Sequence, residues 1–334
     1  MTRALVTGST GFVGANVMAE LLAQGIEVVG LRRASSSDEA VGGLAFRSVV
    51  GDILEPDSLH QAMEGVDWVF HVAAVADYWR TPPDVIYRVN VEGTRNVLQA
   101  AWEAGAARFV LTSSIAALGL PPPGKTLLDE TDSFNLSPEA FPYGHSKHLA
   151  EQVAAEYAAK GMHVVRVLPA IVIGPRDLKF ISGELIVQAL KGSVPALPPG
   201  GNNYIDVRDC AQAHISAAER GRPGERYLLA GHNLTHRQMM EIISQELGTR
   251  VPRWDLPRWT LPPLAVAVEA LNKLGAGLPL DGGRVRLSGA FMYCDNSKAV
   301  RELALTVRPF AESVRDAYQW YKANGYLERV GIAS

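Results

Sequence analysis

Nine residues near the start, VTGSTGFVG from Val6 to Gly14, restrict this chain's folding more than any other stretch. A short apolar run precedes them. After them Val13, Val17, Leu21 and Leu22 keep helical spacing until Gly25 ends the pattern. Gly8, Gly11 and Gly14 therefore sit in a strand-to-helix turn. Glycines there let the chain turn tightly and let its backbone approach a phosphate. The helix start adds N–H donors and the positive end of its dipole. Spaced glycines alone suit any tight turn; with a strand before and a helix after, they read as a site for a pyrophosphate.

The same alternation continues. Residues 4–6, 26–31, 48–50, 68–72, 109–112 and 164–168 read as buried strands, and Val85, Val89, Leu98 and Ala101 mark a helix before Gly105. Strands alternating with helices predict an α/β fold, a parallel, doubly wound sheet. Residues 33–43 and 120–133 are polar or proline-rich and read as loops. The later half is less regular. It offers one more buried strand at 226–230, a capping box at Thr235 and Gln238, and closing helices near 297–303 and 310–321. No flexible linker divides the chain. The expected organisation is a cofactor domain over 1–174 and a smaller C-terminal α/β substrate domain over 175–334, with some segments returning to the first domain.

Of the 334 residues 20% are charged, and the net charge of −3 leaves no electrostatic footprint for nucleic acid. Cys210 and Cys294 have neither metal-type spacing nor a disulfide framework, so no metal is expected and a reducing, cytoplasmic setting fits. The first ten residues read as folded structure and not as a signal peptide. The apolar stretch 261–280 is broken by Pro, Glu, Asn and Lys; it predicts a buried helix or a lid over a pocket, with no membrane span, and no membrane partner is expected.

The segment PYGHSK places Tyr143 and Lys147 four residues apart behind Pro142. Proline suits the first turn of a helix, and side chains at i and i+4 share one face. A phenol has a pKa near ~10, which a neighbouring ammonium lowers. The pair reads either as a tuned acid/base or as two solvated side chains.

The ordered set of GxxGxxG at Gly8–Gly14, GD at Gly51–Asp52, HVAA from His71, NVEGT from Asn90, TSS from Thr112, YGHSK and LPAIVIGP from Leu168 resembles the extended short-chain dehydrogenase/reductase family nearly end to end. Within that family LGLPPPG, GPRDLK and RGRPGERYLLAG are most similar to the dihydroflavonol-4-reductase-like group, which includes hopanoid-associated sugar epimerases. The resemblance implies a Rossmann-type fold. It implies Tyr143 as acid/base, with Lys147 lowering its pKa and bonding the nicotinamide ribose. Ser114, five residues before Gly119, would hold the substrate oxygen, with Ser113 as the fallback. Cofactor contacts are implied at Gly8, Thr10, Gly11, Phe12, Val13, Arg32, Arg33, Asp52, Ile53, Ala73, Ala74, Lys147, Pro169 and Ile171. Substrate contacts are expected at Asp77, Tyr78 and Tyr204, with Trp79 beside them. His71 reads as a buried, hydrogen-bonded histidine. Asn90 reads either as ordering a water or as packing on a helix face.

An acidic residue about 20 positions past the glycines would bond the ribose 2′-hydroxyl of NAD. Arg32 stands there instead, and a guanidinium suits a 2′-phosphate. NADP(H) is therefore the expected cofactor, with NAD(H) as the alternative. The expected function is an NADP(H)-dependent oxidoreductase acting on a carbonyl or alcohol of a small molecule. The rivals are a sugar epimerase or dehydratase with tightly bound NAD, and a non-catalytic dinucleotide sensor. The helices at 85–101 and 143–157 leave a homodimer open.

Overall fold

The computed structural model describes residues 2–76, 78–275 and 282–332. Its strands in the first half are β1 (Arg3–Thr7), β2 (Glu27–Arg32), β3 (Arg47–Val50), β4 (Trp68–His71), β5 (Arg108–Thr112) and β6 (Val164–Pro169). Between them lie α1 (Phe12–Ala23), α2 (His60–Met63), α3 (Pro83–Tyr87), α4 (Gly93–Glu103) and α5 (Pro142–Ala159). The later half adds β7 (Ile171–Ile173), α6 (Glu184–Lys191), β8 (Ala196–Leu197), β9 (Gly201–Asp206), α7 (Val207–Arg220), β10 (Arg226–Leu229), β11 (His232–Thr235) and α8 (His236–Leu247). It ends with β12 (Trp254–Asp255), α9 (Leu261–Lys273), α10 (Gly282–Leu287), β13 (Phe291–Met292), α11 (Ser297–Leu303), α12 (Phe310–Ala323) and the short α13 (Tyr326–Arg329).

Seven parallel strands form the main sheet in the order β10-β6-β5-β4-β1-β2-β3. The order reverses between β1 and β4, which opens a crevice at their carboxyl ends, where such sheets bind ligands. Both faces are covered. Val6, Phe70, Val110 and Val167 pack under α1 and α7, while Leu5, Val69, Phe109 and Leu111 pack under α4 and α5. This two-sided burial explains why the strands read as continuous apolar runs without alternation.

The second unit is built on β9. It pairs antiparallel with β11 on one side and parallel with β7 and β13 on the other. Its core contains Ile173, Ile186, Tyr204, Met240, Phe310 and Tyr321. The chain enters it already at Ile171, ahead of the expected boundary at 174. It then returns: α7 packs on α1, and β10 becomes the edge strand of the main sheet. The capping box at Thr235 and Gln238 starts α8, with both reciprocal hydrogen bonds formed.

The helix expected to run through Val85–Ala101 is one rod with an irregularity. Residues Arg88–Glu92 form a π turn between α3 and α4. That inserted turn is why Val89 and Leu98 fall out of simple helical phase. The stretch 261–280 also departs from expectation. Its described part, α9, is not a buried helix: only Leu261, Ala265 and Val268 are covered. Among the described residues no helix is long and apolar enough to cross a membrane.

Candidate active site

Gly8 has φ +65, and a Cβ there would lie 2.8 Å from both N and Cα of Ala73. The β1–α1 turn thus rests directly on the chain leaving β4, and only glycine allows this. A Cβ at Gly14 would stand 2.2 Å from the Gly8 carbonyl oxygen. Gly11 caps α1 without a side-chain hydrogen bond, so no side chain of the cap residue takes up the first amides. Thr10, Phe12 and Val13 are half-buried around that helix start. This is a cradle shaped for a pyrophosphate.

The other residues expected around a dinucleotide fall along the same crevice. Arg32 closes β2; its Nε donates to Ser48 Oγ at 3.0 Å and lies 3.4 Å from Asp38 Oδ1. Arg33 is exposed beside it. The Asp52 carboxylate accepts from the Leu54 amide at 3.0 Å and so shapes the turn after β3. Ile53 is buried against Gly93, which leaves it mainly a packing residue. The amides of Val72 and Ala73 both donate to Thr7 Oγ1 at 3.2 Å, and Ala74 follows on the same path. Pro169 ends β6, and Ile171 opens β7 one residue later.

Pro142 stands in the first turn of α5, and Tyr143 and Lys147 lie one turn apart on it. The Tyr143 phenol lies beside Ser114, the last residue of TSS and the second after β5. Burial pushes that phenol up to about 12, against the lowering effect of Ser114. Lys147 is only 5% exposed, and its ammonium donates to the Thr112 carbonyl at 2.9 Å. Burial brings it down to about 8, while Glu151 pulls the other way. The expectation that Lys147 lowers the Tyr143 pKa is therefore not met in this form: desolvation of the phenol dominates, and the ammonium is held by the backbone of β5.

The two serines point in different directions. Ser113 Oγ turns away from Tyr143 and donates to Glu151 Oε1 at 2.5 Å. Ser114 also receives the Ala116 amide at 3.2 Å, so it caps a turn and meets the phenol at once. Glu151 was not legible as a site residue. It lies one turn beyond Lys147, is 3% exposed, and has Arg226 Nε 2.7 Å from its Oε2, off the N–H direction. Arg166 approaches the same oxygen at 4.0 Å. The i, i+4 step from Lys147 was the available signal, but both arginines come from strands distant in sequence.

His71 is buried between Thr7 Oγ1 (2.7 Å) and Thr94 Oγ1 (3.0 Å), and burial lowers it to about 3, so it stays neutral. Asn90, inside the π turn, accepts from the Val75 amide at 2.8 Å and donates to Ser146 at 3.0 Å. It pins the strand-end loop to α5, which favours the packing role over the ordering of water. Tyr78 stacks on Tyr143, centroids 5.0 Å apart at 13°, and contacts Phe141 and Trp79 edge-on. Arg284 of α10 covers the Trp79 ring at 4.7 Å. Asp77 lies outside the described residues. Tyr204 requires correction: it is 1% exposed and packs on Phe310 in the second core, because its position on β9 faces inward. It is not on a pocket wall.

The profile of the NAD dependent epimerase/dehydratase family matches residues 4–230, from β1 to the end of β10. The chain belongs to that family. It is 40% identical to a putative dihydroflavonol 4-reductase of Synechocystis sp. over 97% of this chain and 95% of the relative. It is 30% identical to sterol demethylase protein B of Methylococcus capsulatus, over 97% and 99%. Among solved structures, gox2253 superposes with a TM-score of 0.86 at 34% identity, covering 97% of this chain and 99% of that one. The family binds a nicotinamide dinucleotide, and the glycine cradle fits that group: the close Gly8–Ala73 approach leaves the backbone bare where a phosphate must lie.

Proposed function

We propose that this family member is an NADP(H)-dependent reductase converting a ketone or aldehyde to an alcohol, or the reverse. The observation that carries the reading is the placement of Ser114 beside the Tyr143 phenol, with Lys147 buried one turn along α5, at the carboxyl end of β5. When bound along the crevice, the nicotinamide supplies or accepts the hydride. Tyr143, high in pKa, holds a proton at neutral pH and gives it to the carbonyl oxygen. Ser114 donates to the same oxygen and keeps it within reach of the phenol. Lys147, near about 8, holds a positive charge through part of the physiological range and favours transfer from Tyr143. Tyr78 and Trp79 wall the entrance and exclude water. Arg32, oriented by Ser48 and Asp38, would receive a 2′-phosphate, which favours NADP(H) over NAD(H).

The family name leaves a sugar epimerase or dehydratase as the rival. The substrate wall argues for an apolar carbonyl compound. By resemblance, Asn202 stands two residues before Tyr204 where nucleotide-sugar members of the family carry an arginine, and an asparagine cannot supply that charge. Of the arginines that could replace it, Arg208 is held by Asp206 at 2.8 Å and Asp316 at 2.6 Å and Arg176 donates to the Ala40 carbonyl, which leaves Arg284, over the Trp79 ring, as the rival's candidate. A panel of aryl and alicyclic ketones with NADPH, run beside UDP- and dTDP-sugars with NAD, tests the reading. Ketone reduction is expected; turnover of a nucleotide sugar with no ketone reduced overturns it.

A further inference from the structure

The helix α9 is apolar except for Glu269, Asn272 and Lys273. Its inner line, Leu261, Ala265 and Val268, packs with Val285 of α10. Its outer half carries Leu264, Val266, Ala267, Ala270 and Leu271, followed by Leu274, all exposed. A contiguous exposed apolar face of this kind marks an interaction surface. Just before it, Trp254 is 64% exposed and Trp259 75% exposed. Arg250, Arg253 and Arg258 are interleaved with the two tryptophans; none of them joins an ion pair among the described residues, and Arg253 rests on the Trp254 ring at 5.0 Å.

We propose that this face, from Trp254 to Leu274, docks on an anionic lipid bilayer surface. The α9 helix has 13 residues and opens with Pro262 and Pro263, so it lies along a bilayer and does not cross it. Tryptophans settle at the headgroup level, and arginines are drawn to negative headgroups. Charge favours a bilayer over a second copy of the chain. Arg253 and Arg258, exposed beside the tryptophans, find anionic partners on a negatively charged headgroup layer. The docking face is one layer from the candidate active site: α9 packs on α10, Arg284 of α10 covers Trp79, and Trp79 meets Tyr78 over Tyr143. A bilayer there would deliver apolar molecules to the entrance. The docking itself does not rest on the catalytic reading and is measured without turnover.

The test is co-sedimentation of the full chain with phosphatidylcholine vesicles and with vesicles containing phosphatidylglycerol, at low and high salt, beside light scattering of the free protein. The expected result is salt-sensitive binding to the phosphatidylglycerol vesicles. Leu264→Gln with Leu271→Gln should weaken partitioning tenfold or more, since two leucines no longer enter the acyl region. Arg253→Gln with Arg258→Gln should weaken it about tenfold and reduce the preference for the anionic lipid. All four positions are exposed, so the fold should persist, as circular dichroism will show. No binding at low salt overturns the proposal, and so does binding that both variants leave intact. A concentration-dependent dimer dispersed by the leucine variant, without vesicle binding, assigns the face to a second copy instead.

Discussion

Replacing Glu151 by glutamine keeps the shape and removes one buried charge. Glutamine can still accept from Ser113, but Arg226 and Arg166 then face each other without an anion, and their side chains are only 16% and 15% exposed. Removing one partner of a buried pair costs about 3–5 kcal/mol, and the retained hydrogen bond places this variant near the lower end, about 3 kcal/mol. The second effect is on Lys147. Side chains at i and i+4 of a helix lie roughly 6 Å apart, and one unit charge at that distance is worth about 3 kcal/mol at an effective dielectric of 20. That corresponds to roughly two pH units at most. The sign is fixed: losing the anion favours the neutral amine, so the Lys147 midpoint, about 8 in this structure, moves acidward. Arg226→Met removes a cation from the same network and must move it alkaline. His71 from β4, Arg166 from β6 and His148 from α5 stay in place in both variants, so the opposite signs isolate the changed charge. The assay is cofactor affinity against pH, read by fluorescence quenching, since an ammonium in the crevice favours an anionic dinucleotide. Denaturant melts give the stability term. Midpoints that move together, or not at all, refute a positioning role for Glu151 through Lys147.

Other outcomes follow from the same geometry. Tyr143→Phe should abolish turnover and leave cofactor affinity within about twofold, because it removes one oxygen from the proton-transfer position; near-normal activity in the purified variant contradicts the assignment. Arg32→Ala should weaken NADP(H) tenfold or more and NAD(H) little, which titration of both cofactors into the apo protein measures. Acid should destabilise the fold through His71 and His214, lowered by burial to about 3 and about 4. Their stabilising effect is complete above the unfolded value near ~6.5 and is lost as pH falls toward the folded values, roughly 2–3 kcal/mol each by pH 4.5. Melts at pH 7 and 4.5 test this, and His214→Asn should reduce the difference.

The main sheet could be read from the chain because its strands are buried on both faces and punctuated by glycines, as at Gly25 and Gly105. That Tyr143 and Lys147 share one helix face was legible for a similar reason, since both are local and helix geometry fixes their relation, while a role for the pair came only from the family resemblance. What stayed hidden depends on distant segments. Nothing in YGHSK shows that Lys147 would bond the Thr112 carbonyl, or that Arg226 would reach Glu151 from β10. Tyr204 was misplaced because an aromatic residue on a short strand can face either way, and the second core decided the direction. The π turn at Arg88–Glu92 has no signature in hydrophobic spacing beyond a lost phase. The exposure of α9 was equally unreadable, since apolar composition alone suggests burial.

The return of the chain through α7 and β10 governs how this protein can fold and be cut. A fragment ending at Gly174 would lack the β10 edge strand and would leave the α1 face bare where Val207, Cys210, Ala211 and Ile215 belong. The first 174 residues are therefore not an autonomous folding unit, even though they carry the whole glycine turn and the Tyr143–Lys147 pair. The β6–β10 pairing joins Arg166 to Arg226 across sixty residues, so the sheet is completed only after β7, β9 and α7 have been synthesised. Contacts so distant in sequence slow folding and couple the two units into one cooperative transition. Loosening of the second unit would then be felt at Ser113 and Lys147 through Arg226, without any change near the active site itself.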